Sequence, residues 1–214
     1  MKKIFVFMMA MLLAAPVVYA QNNKALEKAR AKEYKTKMKE YKKEGWKIFG
    51  SSRSIDVSLL THYDKLNKLG EKGYELVGIC AKYKSDNVGY QVAANNAATM
   101  YARTAGSTLK GRLVSDLAAD GVDTSSEFDH FYAAYESLVE KEIKGELRQS
   151  YAVYKDLGNG EKTMQVFYIV DEEAATNARI RAYNNALRES EAAQKMADKI
   201  SDFVKKGFDQ QGGE

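Results

Sequence analysis

The spacing of apolar residues alternates between two periods along this chain, and each change marks an element. Ile55, Leu59, Tyr63, Leu66 and Leu69 recur every three or four residues, the period of one helix face. Ser54 or Asp56 caps that helix, and Gly70 and Gly73 end it. Short apolar runs on either side, Trp46–Gly50 and Tyr74–Tyr83, read as strands, the second buried around Leu76–Ala81. This strand–helix–strand succession has the form of a parallel crossover unit. From Asp86 or Asn87 to about Thr104 an Ala-rich stretch predicts a helix that can approach a sheet closely, closed by Gly106. Thr108–Ser115 then reads as a further strand, with Gly111 as a candidate bulge.

Beyond a loop at Asp116–Ser126, the capping-box pattern Thr124-Ser125-Ser126-Glu127 announces the clearest amphipathic helix. Its stripe is Phe128, Phe131, Tyr132, Tyr135, Leu138, Val139 and Ile143, the pattern of a core-facing helix. Alternation over Glu146–Leu157, the turn Gly158-Asn159-Gly160 and the run Lys162–Val170 predict an antiparallel hairpin. A last helix is expected from Glu172 to about Lys206, about 50 Å long at 1.5 Å per residue. Residues 209–214 read as a frayed tail. Asn95-Asn96-Ala97 recurs as Asn184-Asn185-Ala186, a faint echo that also superposes the strands at Val77 and Val166.

Composition narrows the class. The 214 residues are 45% hydrophobic and 29% charged, with one Pro and one Cys, which excludes collagen-like, low-complexity and disulfide-scaffold chains. Only the first 20 residues form a long apolar run, so a multi-pass membrane protein is excluded too. That run has the form of an export leader. Lys2 and Lys3 precede the apolar segment Ile4–Leu13, Pro16 breaks it, and Val18-Tyr19-Ala20 places small residues where a signal peptidase reads. Cleavage is expected between Ala20 and Gln21. The expected location is the periplasm or the exterior, with no stable membrane span after cleavage. In an oxidising compartment Cys80 has no intrachain partner and reads as a small buried hydrophobe within Leu76–Ala81.

Charge singles out one segment. The whole chain is +4, but Gln21–Gly50 holds ten basic and four acidic residues, while the remainder after the leader is acidic on balance. This segment predicts a basic helix, 21–45, with a thin apolar stripe that includes Tyr34, Met38 and Tyr41. It can lie on the domain through those three side chains, serve as an arm for self- or partner association, or rest on a membrane surface. The acidic balance elsewhere, and export, argue against nucleic acid as a partner.

The run Gly73–Leu117 carries a resemblance. A strand around Val77-Gly78-Ile79, a polar turn, the helix with Asn95-Asn96-Ala97 and then Leu109-Lys110-Gly111-Arg112-Leu113-Val114 resemble the small membrane-associated lipoprotein antigen family of Gram-negative bacteria. The domain of that family is similar to the N-terminal domain of the flagellar assembly protein T. Glu127–Leu147 resembles uncharacterised exported proteins of Bacteroides-type bacteria. The resemblance implies an α+β envelope domain without enzyme activity and offers no catalytic residue to carry over. The family's lipid-anchor Cys is missing, since Gln21 stands at the cleavage point.

Candidate chemistry is sparse. His62 and His130 fall on separate predicted helices without a metal-ligand spacing. Asp116, Asp120, Asp123 and Glu127 crowd one loop, but not with calcium-loop spacing. Glu136 and Glu140, or Asp116, would serve a hydrolase only if they converged in a cleft. No catalytic, cofactor or metal residue is assigned, and no cofactor is expected. The expected fold is α+β: a mixed or antiparallel sheet of about five strands packed by helices, with long N- and C-terminal helices. A single domain, 46–208, carries the basic helix ahead of it. The expected role is an exported, non-catalytic envelope protein that assembles with itself or with an envelope partner through its terminal helices. The alternative is a soluble binding module for a small molecule, peptide or cell-wall glycan.

Overall fold

The computed structural model describes residues 24–119 and 128–207. The leader, the Ala20–Gln21 cleavage point, the 120–127 capping-box segment and the 209–214 tail lie outside the described residues. Residues 24–44 form helix α1. There follow β1 (Lys47–Ile48), α2 (Ile55–Leu69), β2 (Gly73–Tyr83), α3 (Asp86–Ala119), α4 (Asp129–Lys144), β3 (Arg148–Gly158), β4 (Glu161–Asp171), α5 (Glu172–Ala186), α6 (Glu191–Lys195) and α7 (Ala197–Lys205).

The fold is α+β around one antiparallel sheet in the order β1-β3-β4-β2. Among the described residues it has four strands rather than about five. The hairpin β3–β4 turns through Asn159 at φ 53°, flanked by Gly158 and Gly160 at φ 91° and 72°. This backbone conformation is what Gly and Asn accept most readily. The hairpin sits between β1 and β2, so those two edge strands are not neighbours and do not form a parallel crossover unit.

The strand missing from the expectation is Thr108–Ser115, which continues α3 instead. Leu109 and Leu113 are four apart, and both are buried among the aromatic residues of α4. The four-residue spacing is the helical period, and tertiary packing on α4 carries the helix through Gly106 and Gly111. At 34 residues α3 spans about 51 Å, long enough to serve two cores. Its first half lies on the sheet and its second half packs on α4.

Strand alternation sends side chains to two faces. Tyr151, Val153, Phe167, Ile169 and Val77 meet α1 and α2 on one face. Ala152, Met164, Val166, Tyr168 and Cys80 meet Ala93 and Ala97 of α3 on the other. The approach of α3 is close because Gly78 has no side chain. A Cβ there would stand 1.8 Å from the Ala93 carbonyl oxygen. Beyond the end of the sheet, α3, α4, α5 and α7 enclose a third, helical core.

The expected single C-terminal helix is broken. α5 gives way to a 3₁₀ turn at Leu187–Glu189, and the Ser190 hydroxyl then caps α6 by accepting from Ala193 N at 3.2 Å. The break lets α7 fold back on α5 and α3. The Arg179 side chain, 2% exposed, and Arg112 hold the end of α7 by donating to the carbonyls of Val204 and Phe203. The 89-residue echo corresponds to β2–α3 and β4–α5. Those two helices pack differently, α3 on the sheet and α5 chiefly on α4.

Candidate functional site

The basic helix α1 is part of the core. Met38 and Tyr41 are buried, and Tyr34 packs beside them on the outer face of the sheet. The Tyr34 ring stands edge-on to Tyr63 at 6.3 Å, and its hydroxyl donates to Asp56. Tyr41 and Tyr151 bring their hydroxyl oxygens to 3.2 Å. Burial pushes both phenol pKa values up, so the pair stays neutral across the physiological range. Tyr34, Met38 and Tyr41 thus lay α1 on the chain's own sheet and α2.

Two basic residues of α1 have structural partners. Arg30, itself buried, donates from Nη1 to Leu66 O at 2.6 Å and from Nη2 to the carbonyls of Gly70 and Gly73 at 3.0 Å each. These carbonyls lie at the end of α2 and the turn after it, where a cation satisfies otherwise unpaired acceptors. Burial pulls the guanidinium pKa below its ordinary value. Lys37 reaches Glu75 Oε1 at 2.9 Å and lies 4.8 Å from the centre of the Phe167 ring.

Glu75 joins α1, α2 and β2. Its other carboxylate oxygen lies 2.8 Å from Nε2 of His62, which is 0% exposed on α2. The His62 ring is enclosed by Tyr63, Tyr151 and Phe167, and the last two stack at 4.3 Å. The contact with Glu75 has ion-pair distance without an aligned hydrogen bond. Burial opposes the charge on Glu75, but the His62 ring and the Lys37 ammonium outweigh it and hold the carboxyl below its ordinary pKa. His62 and Glu75 come closest to an acid–base pair. Glu75 is engaged by Lys37 and the His62 ring is buried under α1 with neither nitrogen hydrogen-bonded, so neither group is directed into a cleft. Sequence reasoning noticed His62 but not Glu75. Period-2 alternation does place Glu75 on the same strand face as Val77, a weak clue that it points inward.

The other sequence candidates remain apart. His130 is exposed on α4. Glu140 pairs with Lys144 at 2.9 Å, while Glu136 packs against Gly106 of α3. Asp116 is at the end of α3; Asp120, Asp123 and Glu127 lie outside the described residues. Cys80 is buried against α3. A groove of about 500 Å³ runs between α1 and α2, but two of its polar groups are engaged: Asp64 with Lys68 and Asn67 with Arg30.

The exposed side of α3 has a different character. Val88, Val92 and Met100 fall at four-residue intervals with Asn96 among them, and Val88 and Met100 are 53% and 54% exposed. Asn96 donates to Ile79 O, so the row runs beside the outer edge of β2, where Ile79 is exposed as well. No residue from Asn87 to Ala102 is charged. Among the described residues β2 pairs only with β4, and its other edge has no strand neighbour. Apolar surface beside an open strand edge is the kind of surface that contacts other chains.

No helix among the described residues is long and apolar enough to cross a membrane. No family model, curated protein or solved structure matches the chain.

Proposed function

We propose that this chain is an exported, non-catalytic protein of the cell envelope that works by assembling with a second copy of itself. The observation that carries this reading is the uncharged row Val88–Val92–Met100 beside Ile79 on the open edge of β2. A partner of opposite charge has nothing to recognise there. A second copy brings the same uncharged face, so association hides apolar area without like-charge repulsion. The leader pattern around Lys2, Lys3 and Ala20, and the resemblance to lipoprotein antigen domains, support an envelope location. The inward commitment of His62 and Glu75 supports a non-catalytic role.

Native mass spectrometry of the mature protein from its host envelope tests the proposal. Twice the chain mass is expected, with loss of the dimer in a Val92→Lys/Met100→Lys double variant that keeps its circular dichroism spectrum. A wild-type monomer at every concentration, or a dimer indifferent to both lysines, overturns self-assembly through this face. Added mass from a different protein would replace self-assembly with a heterologous envelope partner. The binding-module reading is favoured by one separate observation, a small hydroxyl-lined cavity on the opposite edge of the sheet.

A further inference from the structure

The cavity lies between the β1–α2 loop, the first turns of α2 and the start of β3, and its volume is about 190 Å³. Its polar lining includes Ser51, Arg53, Ser58, Gln149 and Ser150; Phe49 supplies part of an apolar wall. None of its lining residues is acidic.

Two serines have no structural use for their hydroxyls. The Ser150 Oγ is buried with no hydrogen-bond partner. Ser58 is only 6% exposed, and no hydrogen bond among the described residues engages its hydroxyl. A buried hydroxyl left unpaired costs about 1–3 kcal/mol, so leaving Ser150 in that state beside a cavity points to a group that occupies it.

The backbone is adapted at the same place. The β3–β4 register shifts between Gln149 and Tyr151, making Ser150 the extra residue of a bulge. A bulge re-aims a side chain at the cost of ladder pairing. Here the re-aimed residue is one with the orphaned hydroxyl. Arg53 at the rim has no carboxylate partner among the described residues, although ion pairs are common elsewhere on this surface. The Gln149 carbonyl oxygen accepts from the Tyr90 hydroxyl, which leaves its amide nitrogen as a donor. The site therefore offers a cation, an amide N–H and serine O–H groups, with no opposing negative charge.

We infer that this cavity binds a small oxyanion, a phosphate or carboxylate group, with Arg53 supplying the charge and Ser58, Ser150 and Gln149 supplying donors. At about 30 Å³ per water, the cavity has room for about six waters. That is enough for an oxyanion and a few attached atoms and too little for a drug-sized ligand. This inference gives the binding-module reading a ligand class and does not depend on self-assembly.

The test is isothermal titration of the mature protein with inorganic phosphate, acetate and, as a neutral control, glucose. Saturable binding of phosphate or acetate, but not glucose, is expected, and the stronger of the two identifies the anion. Arg53→Gln should weaken it about tenfold or more, the loss of one charge-assisted hydrogen bond. Ser150→Ala should weaken it while relieving the unpaired hydroxyl, so that the variant melts no lower than wild type without ligand. The monomeric Val92→Lys/Met100→Lys protein should bind unchanged, which separates failure of this site from failure of assembly. No binding of either anion, binding indifferent to Arg53→Gln, or a preference for glucose overturns the inference.

Discussion

The guanidinium of Arg30 donates to the main-chain oxygen of Leu66 across 2.6 Å, joining the first helix to the end of the second over 36 residues of sequence. Arg30→Met keeps the aliphatic stem but leaves the carbonyls of Leu66, Gly70 and Gly73 without their donor. A loss of about 3 kcal/mol is expected, given the usual worth of hydrogen bonds to charged groups. Urea denaturation measures it. Hydrogen exchange should show the amides of α1 opening before those of β4.

Removing the segment Asn22–Lys43 is expected to unfold the domain rather than release an appended arm. The deletion takes Met38 and Tyr41 from the core along with the Arg30 and Lys37 contacts. Each buried apolar side chain is worth about 1.5–3 kcal/mol, against a whole-domain stability of about 5–15 kcal/mol. Loss of the cooperative thermal transition checks this. A deletion variant that melts like wild type would contradict the packing.

Acid should weaken the fold through Glu75. Its carboxyl is held below the ordinary glutamate value in the folded state, so the native state binds a proton less readily than the unfolded chain. The stability this provides is complete above the unfolded pKa of about 4.3 and is lost as pH falls through the lower folded value. Glu75→Gln is expected to cost about 1–3 kcal/mol at neutral pH. The variant should also show a shallower decline below pH 4.3 in urea midpoints measured across the acid range.

Two glycines should respond oppositely to alanine. At Gly78 the new methyl would meet the Ala93 carbonyl oxygen at 1.8 Å, so α3 must lift from the sheet. The expected cost is about 3 kcal/mol, the upper end for overpacking. Gly111 has nothing within 4 Å of an added Cβ and lies inside α3 without positive φ. Gly111→Ala is expected to stabilise by about 0.5–1 kcal/mol. Thermal melts should move by a few degrees in opposite directions, more for Gly78.

Local signals were legible where short-range physics decides. The Gly158-Asn159-Gly160 turn, the aromatic stripe of α4 and the Ser54 cap of α2 all occupy the places their residue types predict. The reading failed where a distant contact overrides local preference. Gly106 looked like a helix stop, yet α3 continues through it because Leu109 and Leu113 are buried on α4. The C-terminal stretch, read as one helix, breaks at Ser190, whose hydroxyl caps α6. Of the cluster beneath α1, only His62 was visible. Its pairing with Glu75 depends on the register of β2 beneath α2, which no short motif encodes. The oxyanion cavity was invisible for the same reason. Ser58 and Ser150 are ordinary serines until the fold sets them around one space.

The strand order has a consequence for the time course of folding. β1 and β2 are made early, yet the neighbours of both belong to the hairpin of residues 148–171. Tyr41 likewise meets Tyr151 across 110 residues. During synthesis from the N-terminus, the first half of the chain has no sheet to join, and closure must wait for the late hairpin to slot between the two waiting strands. Such distant pairings delay closure of the sheet, because loop-closure entropy is lost before they form. They also keep the chain threadable until it is nearly complete, the state in which a polypeptide can still pass through a narrow channel.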